Sequence, residues 1–144
     1  CGRRDESWCS AAIGEARRSD DLLGYELVGY EDRMDLRYVE ASLAVCRAGA
    51  VSVAELAAAR VPAILVPLPG APADHQTMNA RSLEAVGAAV LLPESELDVA
   101  RLAAGIEALL ADPERLGAMA RAGGDIARPD AADRLADLVE ERAR

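Results

Sequence analysis

The sequence predicts a single α/β domain with a mostly parallel sheet, helices on both faces and a helical carboxyl-terminal tail. Short apolar segments alternate with helical patterns of roughly ten residues or more, which is typical of βαβ units. Right-handed crossovers between parallel strands then place the helices on both faces of the sheet. After Pro93 the pattern is helical throughout. A chain of 144 residues is long enough for one such domain with a buried core.

The predicted elements have recognisable boundaries. Each predicted strand is a short apolar run that contains Val, whereas Ala and Leu dominate most of the helical segments. Gly87 ends one helix, Pro113 behind Asp112 predicts a capped helix start, and Gly123 with Gly124 predicts a turn. The strands are predicted at 25–30, 43–46, 63–67 and 88–92, and the helices at 5–17, 32–41, 52–60, 74–86, 98–111, 113–127 and 131–144.

Composition argues against several classes of function. The net charge is −9, so the domain as a whole repels a phosphate backbone and no nucleic-acid partner is expected. No apolar run reaches 18 residues, so no membrane-spanning helix is expected, and no signal peptide is visible. Cys1, Cys9 and Cys46 match neither a zinc pattern nor a disulfide framework, so we expect no metal or cofactor. Cys46 is predicted as a small core residue, and a reducing cytoplasm fits this cysteine usage.

Residues 45–79 carry the strongest functional signal, because two successive strand-to-helix junctions there hold small and polar residues. In an open parallel sheet such junctions lie at the carboxyl ends of the strands, where ligands bind. Gly49 permits close backbone approach, and the amides of Ala50 and Val51 would form a diphosphate cradle at a helix start. The alternative is that Gly49 serves ordinary turn chemistry.

Ser52 and Glu55 allow two interpretations. Their S-x-x-E spacing fits a helix capping box. Alternatively, Glu55 accepts hydrogen bonds from a ribose diol, as carboxylates do in nucleotide-binding α/β folds. Because a carboxylate repels diphosphate, its partner would be the sugar of the nucleotide rather than the phosphates.

His75, Gln76 and Asn79 occupy the first turns of the next predicted helix. Gln76 and Asn79 share a helix face, and amide side chains suit sugar hydroxyls and acetamido groups because they both donate and accept. The alternative is an ordinary polar first turn capped by Asp74. His75 is the only histidine and has no second ligand at metal-binding spacing, so no metal site is predicted. Neither a Ser-His-Asp order nor a Walker loop is present.

The motifs from residue 25 onward form an ordered set. They comprise 32–34 (DRM), 44–50 (AVCRAGA), 62–67 (PAILVP), 87–89 (GAA) and 129–134 (PDAADR), together with Tyr38, Ser52, Glu55, Leu56, His75, Gln76, Asn79 and Ala80. In this order and at this spacing they resemble the MurG family of bacterial peptidoglycan N-acetylglucosaminyltransferases over roughly residues 25–144. Residues 1–24 resemble that family poorly.

The resemblance implies a fold and a reaction. The fold is the carboxyl-terminal, sugar-nucleotide-binding half of a GT-B glycosyltransferase, which has two Rossmann-like domains. The reaction is the inverting transfer of N-acetylglucosamine from UDP-N-acetylglucosamine to lipid I, which yields lipid II. The implied location is cytoplasmic, with the parent family peripheral on the inner face of the bacterial plasma membrane.

The resemblance also implies a role for each candidate residue. These roles are ribose binding by Glu55, diphosphate binding by Ser52 and the amides around Ala50 and Val51, sugar binding by Gln76 and Asn79, and a uracil contact by the main chain near Glu31. Three of the family's usual residues differ: Ser52 replaces Thr, His75 replaces Gln, and Glu31 replaces Ile. Only a main-chain contact to uracil would survive the change at Glu31.

By the same resemblance, the chain lacks the acceptor domain and the first strand and glycine-rich loop of the donor domain. Lipid I would bind through that missing domain, and no residue here is a candidate general base. We therefore expect the chain alone to transfer no sugar. A missing strand would also expose a sheet edge and apolar helix surface, which favours self-association.

Two alternatives to this function remain open. In the first alternative, the chain is a noncatalytic UDP-sugar-binding module or an inactive fragment. In the second, it is part of another GT-B glycosyltransferase. The first belongs to a different class of protein, because it binds without turning over a substrate.

Overall fold

The computed structural model describes residues 3–16 and 24–143. The chain divides into two compact units, Cys1–Leu36 and Arg37–Arg144. In the first unit, helix α1 (Glu6–Ala16) matches the helix predicted at 5–17, whose last residue lies outside the described residues. The guanidinium of Arg3 lies over the ring of Tyr30, 5.7 Å from its centroid. The division between the units falls inside helix α2 (Met34–Glu40).

The strand predicted at 25–30 is wrong. This segment forms no strand, although it is rich in apolar and aromatic residues. A segment of this composition becomes a strand only when a neighbouring strand pairs with its backbone N–H and C=O groups. Among the described residues, the sheet contains only three strands, and all of them lie in the second unit.

The sheet consists of three short parallel strands, β1 (Ala44–Cys46), β2 (Ala63–Leu65) and β3 (Ala89–Leu91), in that spatial order. In register, Val45 pairs with Ile64 and Ile64 pairs with Val90, so the three strands end at the same edge. Each strand confirms a predicted one and is one or two residues shorter than predicted. Every residue of the central strand is buried, as expected for a strand covered on both faces.

Helices cover both faces of the sheet, as predicted. Helix α3 (Ala50–Ala59) connects β1 to β2, and helix α4 (His75–Ala85) connects β2 to β3. Side chains from both helices share one core cluster with Ala63 and Leu65. Ile64 instead belongs to a second cluster, which it shares with helices α5 (Val99–Leu110) and α6 (Pro113–Ile126). The alternation of side chains along β2 therefore divides the core into two layers.

Local signals locate the start of α6 and the end of α4 correctly. The carboxylates of Asp98 and Asp112 each accept a hydrogen bond from the backbone N–H three residues on, at 2.7 and 2.9 Å. Pro113 is the first residue of α6, as predicted. Gly87 follows α4 with a φ of +80°, a conformation that L side chains rarely adopt, and so ends that helix.

The turn predicted at Gly123 and Gly124 is wrong, because both residues lie inside α6. Gly123 is buried, and a Cβ there would lie 3.6 Å from Cβ of Ala88 and 3.7 Å from Cα of Ala57. A methyl group would therefore fit at ordinary van der Waals distance, whereas a larger side chain would clash with α3. Close packing of α6 against α3, rather than a turn, explains a small residue at this position.

The tail ends in helix α7 (Ala131–Arg142), and an apolar stripe of this helix is exposed. Leu135, Leu138 and Val139 share one helix face and are 63%, 56% and 61% exposed. Within residues 3–16 and 24–143, no helix has both the length and the hydropathy needed to cross a lipid bilayer.

We expect opposite effects from two substitutions of Gly123. Gly123→Ala should raise the free energy of unfolding by roughly 0.5–1 kcal/mol, because the added methyl meets ordinary van der Waals contacts and alanine favours the helix. Gly123→Val should lower it by roughly 1–3 kcal/mol, because a branched side chain overpacks the contact with α3. Urea denaturation measures both changes, and equal stability of the two variants would contradict the close packing.

Candidate functional site

One arginine connects the carboxyl ends of the three strands. Arg47, directly after β1, donates from Nη1 to the carbonyl oxygens of Val66 and Pro67, which follow β2, at 3.3 and 3.2 Å. The same nitrogen is paired with the carboxylate of Glu94, which follows β3. Because ligands of open parallel sheets bind beyond these strand ends, Arg47 holds together the edge where a ligand would bind.

The amino terminus of α3 is open. Its N-cap residue is Gly49, which has no side chain to accept a hydrogen bond from the first turn, in contrast to the aspartates that cap α5 and α6. The N–H groups of Ala50, Val51 and Ser52 therefore have no side-chain acceptor in the described part of the chain. These groups and the positive end of the helix dipole together favour an anion.

Turn chemistry does not explain Gly49. Its φ of −63° and ψ of 148° are values that any residue adopts. A Cβ there would meet only Oγ of Ser52, at 3.9 Å. The glycine therefore leaves open space in front of the first turn of α3, which is what the cradle interpretation requires.

The capping-box interpretation of Ser52 and Glu55 is wrong. Helix α3 begins at Ala50, so Ser52 is its third residue and Glu55 its sixth, and neither occupies the N-cap position. The two side chains lie three residues apart and therefore share one side of the helix. Glu55 makes its hydrogen bond elsewhere.

The carboxylate of Glu55 accepts a hydrogen bond from Tyr38 of α2. The hydroxyl of Tyr38 lies 3.0 Å from Oε2 of Glu55. Burial raises the pKa of Tyr38 to about 12, with help from the hydrogen bond to Glu55 and from its charge, so the phenol still donates at neutral pH. This pKa lies above the ordinary value of 10.0. The protonated Tyr38 therefore contributes fully to the free energy of unfolding below pH 10, and this contribution is lost as the pH rises through about 12.

The backbone before α4 is strained. Ala73 and Asp74 have φ values of +51° and +53°, in the left-handed region that favours glycine. Asp74 occupies the N-cap position of α4 but makes no cap hydrogen bond, so the predicted cap is wrong. Its carboxylate accepts instead from the hydroxyl of Thr77 at 2.7 Å, and Nδ1 of His75 lies 2.7 Å from the carbonyl oxygen of Pro72. Strained backbone of this kind often accompanies ligand sites.

Two amide side chains brace the loops around the site. Oε1 of Gln76 accepts from the backbone N–H of Leu68 at 3.0 Å, and Nδ2 of Asn79 donates to the carbonyl oxygen of Ala48 at 3.1 Å. Asn79 thereby connects α4 to the loop before α3, so the structure brings the two predicted junctions together. The side-chain nitrogen of Gln76 (Nε2) and the side-chain oxygen of Asn79 (Oδ1) have no hydrogen bond to another described residue and are available to a ligand.

Glu31 belongs to the first compact unit. Its carboxylate accepts a hydrogen bond from the backbone N–H of Arg33 at 2.9 Å. The side chain is thus turned onto its own backbone. The contact of this main chain with uracil stays a prediction.

The sequence analysis assigned no role to three residues around the site, Arg47, Glu94 and Tyr38, although Arg47 and Tyr38 belong to the motifs that resemble the family. A cation directly after an apolar strand, at the edge where ligands bind, is a signal that could have identified Arg47. The contact of Tyr38 with Glu55 has no comparable signal, because the two residues are 17 positions apart and no local pattern relates them.

A groove of about 310 Å³ lies along the other side of α3. Ala50, Val53, Ala54 and Ala57 line it, and Asn79 borders it. At about 100° per residue, these helix positions lie opposite the side that carries Ser52 and Glu55. The groove is therefore distinct from the polar side of α3.

Two of the three cysteines lie in the described part of the chain. Cys46 and Cys9 are free thiols, and Cys1 lies outside the described residues. Cys46 packs against the first core cluster, as predicted, and burial raises the pKa of its thiol. The described residues contain no group of three or more His, Cys, Asp or Glu side chains placed to hold a metal ion.

Loss of Arg47 is expected to destabilise the domain. Arg47→Ala should lower the free energy of unfolding by roughly 1–3 kcal/mol, since two carbonyl groups lose a charged donor. The control is Arg101→Ala, which removes an exposed ion pair with Glu96 and should cost less than about 1 kcal/mol. Urea denaturation of the two variants checks this, and an equal loss in both would contradict a special role for Arg47.

Comparison with known proteins gives a consistent result. The family model described as Glycosyltransferase family 28 C-terminal domain matches residues 9–135. An N-acetylglucosamine transferase from Alkalilimnicola ehrlichii is 52% identical over 134 residues. Its name gives UDP-N-acetylglucosamine as the donor and N-acetylmuramyl-(pentapeptide) pyrophosphoryl-undecaprenol as the acceptor. The match covers 92% of this chain and 38% of that relative.

A second relative and a solved structure agree with the first. The protein of the same name from Anaeromyxobacter sp. is 46% identical over 128 residues, which cover 84% of this chain and 34% of the relative. A crystal structure of MurG from Acinetobacter baumannii matches with a TM-score of 0.86 at 33% identity, over 98% of this chain and 41% of that one. The chain thus spans little more than a third of the length of these curated relatives. It belongs to the glycosyltransferase family 28 C-terminal domain family, as the motifs from residue 25 onward predicted.

Proposed function

We propose that this chain is the UDP-N-acetylglucosamine-binding part of the glycosyltransferase that converts lipid I to lipid II. The observation that carries the proposal is the open first turn of α3, with Glu55 one turn further along the same helix. Such a start binds an anion, and a carboxylate beside it binds the ribose of the same nucleotide. The names of the relatives from Alkalilimnicola ehrlichii and Anaeromyxobacter sp. support the identity of the sugar nucleotide.

The diphosphate would bind at the start of α3. The amides of Ala50, Val51 and Ser52 would donate to its oxygens, and the Ser52 hydroxyl would add a further donor. The open space in front of Gly49 would admit the phosphates to the helix end. Such local attraction is needed because the net charge of −9 repels an anion at long range.

The two sugars would bind on either side of the diphosphate. Glu55 would accept hydrogen bonds from the ribose hydroxyls. The free amide nitrogen of Gln76 and the free carbonyl of Asn79 would serve the hydroxyl and acetamido groups of N-acetylglucosamine, with His75 beside them. The main chain near Glu31 would meet uracil.

In the transfer reaction, negative charge develops on the departing UDP. The amides and the dipole of α3 would stabilise this charge, and because they are already oriented before the reaction they add no cost of reorganisation. The general base and the lipid I site would come from the remainder of the protein, so we propose that this chain alone transfers no sugar. Because lipid I is held in the membrane, the complete enzyme would work peripherally at its cytoplasmic face.

The ribose role of Glu55 is tested by Glu55→Gln. This change removes the charge of the acceptor, and we expect a tenfold to hundredfold loss of UDP affinity, which corresponds to about 1.5–3 kcal/mol. Isothermal titration calorimetry measures the affinity of this chain. The same titration is repeated after fusion to the amino-terminal part of the Alkalilimnicola ehrlichii relative.

Two controls isolate the ribose contact. Glu107→Gln neutralises an exposed carboxylate on α5 and should leave UDP affinity unchanged. Dideoxy-UDP, which lacks both ribose hydroxyls, should bind the parent protein weakly and be nearly indifferent to Glu55→Gln. Equal UDP affinity of the parent and Glu55→Gln would refute the ribose assignment.

We also propose that this chain self-associates through the exposed stripe of α7. Leu135, Leu138 and Val139 present a continuous apolar surface on one helix face. Light scattering at high protein concentration should therefore detect species larger than a monomer, and Leu135→Glu with Leu138→Glu should reduce them. A strict monomer in the parent protein would contradict the proposal.

A further inference from the structure

Tyr38 is held on both sides, by packing of its ring and by hydrogen bonding of its hydroxyl. The ring is partly buried and packs against the first core cluster, which includes Leu56 and Ala57 of α3. The hydroxyl lies 3.0 Å from Oε2 of Glu55. A core residue of α2 thus ends in a polar group that meets the carboxylate proposed to bind ribose.

This contact limits the freedom of Glu55. A glutamate on an exposed helix face has three rotatable side-chain bonds, and each orientation that it gives up on ligand binding costs entropy. The hydrogen bond from Tyr38 occupies one lone pair of Oε2. It leaves Oε1 and the second lone pair of Oε2 for two neighbouring hydroxyls of a ligand.

We propose that Tyr38 is a positioning residue that orients Glu55 toward the vicinal hydroxyls of the ribose. This inference rests on the proposed function, because it requires Glu55 to bind ribose. Tyr38 itself touches no part of the nucleotide. It acts through Glu55, so its removal changes how well the protein distinguishes ribose from deoxyribose.

The protonation state of the phenol supports this role. Burial, and then the hydrogen bond to Glu55 and its charge, raise the pKa of Tyr38, so the hydroxyl donates throughout the neutral range. The groups that raise it are the carboxylate of Glu55 and the thiol of Cys46. The phenol therefore remains a donor to Glu55 up to a higher pH than an ordinary tyrosine does.

The experiment compares Tyr38→Phe, Glu55→Gln and the double variant with the parent protein. Tyr38→Phe keeps the ring in the core and removes only the hydroxyl. Tyr25→Phe, in the other compact unit, is the matched control for loss of a phenol. Calorimetry measures the affinity of each protein for UDP and for dideoxy-UDP, and thermal unfolding monitors the fold.

For Tyr38→Phe we expect UDP affinity to fall by about three- to tenfold, the loss typical of one ordinary hydrogen bond, because the hydroxyl acts only through Glu55, with little change for dideoxy-UDP. The ratio of the two affinities should therefore fall. A partly unfolded population lowers both affinities equally and leaves this ratio unchanged. The double variant should bind UDP no more weakly than Glu55→Gln alone, because Tyr38 acts through Glu55.

The possible failures are distinguishable. If Glu55→Gln weakens UDP binding and Tyr38→Phe leaves the ratio unchanged, the positioning role is refuted and the proposed function stands. If Tyr38→Phe lowers affinity for UDP and dideoxy-UDP equally, the hydroxyl does not act on the ribose contact and the inference is refuted. If the parent protein binds UDP and dideoxy-UDP equally, the ribose site and the inference are refuted together.

Discussion

The arrangement of the candidate site depends on Arg47, whose guanidinium joins the carboxyl ends of three parallel strands. Where the strands end, backbone carbonyls lose their ladder partners and need another donor. Arg47 donates to two such carbonyls after β2, and Glu94 after β3 balances its charge. The loops that lead into α3 and α4 are thereby held at one edge of the sheet, where the proposed diphosphate and sugar contacts begin.

A second feature of the site is that polar side chains divide their hydrogen-bonding groups between the protein and the proposed ligand. Gln76 uses its carbonyl for Leu68, Asn79 uses its amide nitrogen for Ala48, and Glu55 uses one oxygen for Tyr38. The remaining hydrogen-bonding groups of each side chain stay available to the proposed ligand. Side chains that are already held in place lose less entropy when a ligand binds, so this arrangement favours affinity without additional contacts.

Local chemistry made part of this structure predictable. The cap at Asp112 and the end of α4 at Gly87 depend on groups within a few residues, so the sequence pattern located them. The strand predicted at 25–30, the turn at Gly123 and the capping box at Ser52 failed for a common reason. In each case the outcome depended on contacts or helix starts that lie outside the local pattern, such as the close approach of α6 to α3.

The alternation of apolar runs and helical patterns was therefore sufficient for the α/β fold class and for the residues at the two strand-to-helix junctions. It was not sufficient to predict the long-range contacts that bring these residues together into one candidate site. Tyr38 and Glu55 are 17 residues apart, Ala48 and Asn79 are 31 apart, and Arg47 and Glu94 are 47 apart. These pairs meet only because strand register and crossover packing bring distant segments to one edge, and periodicity within a segment contains no information about that register.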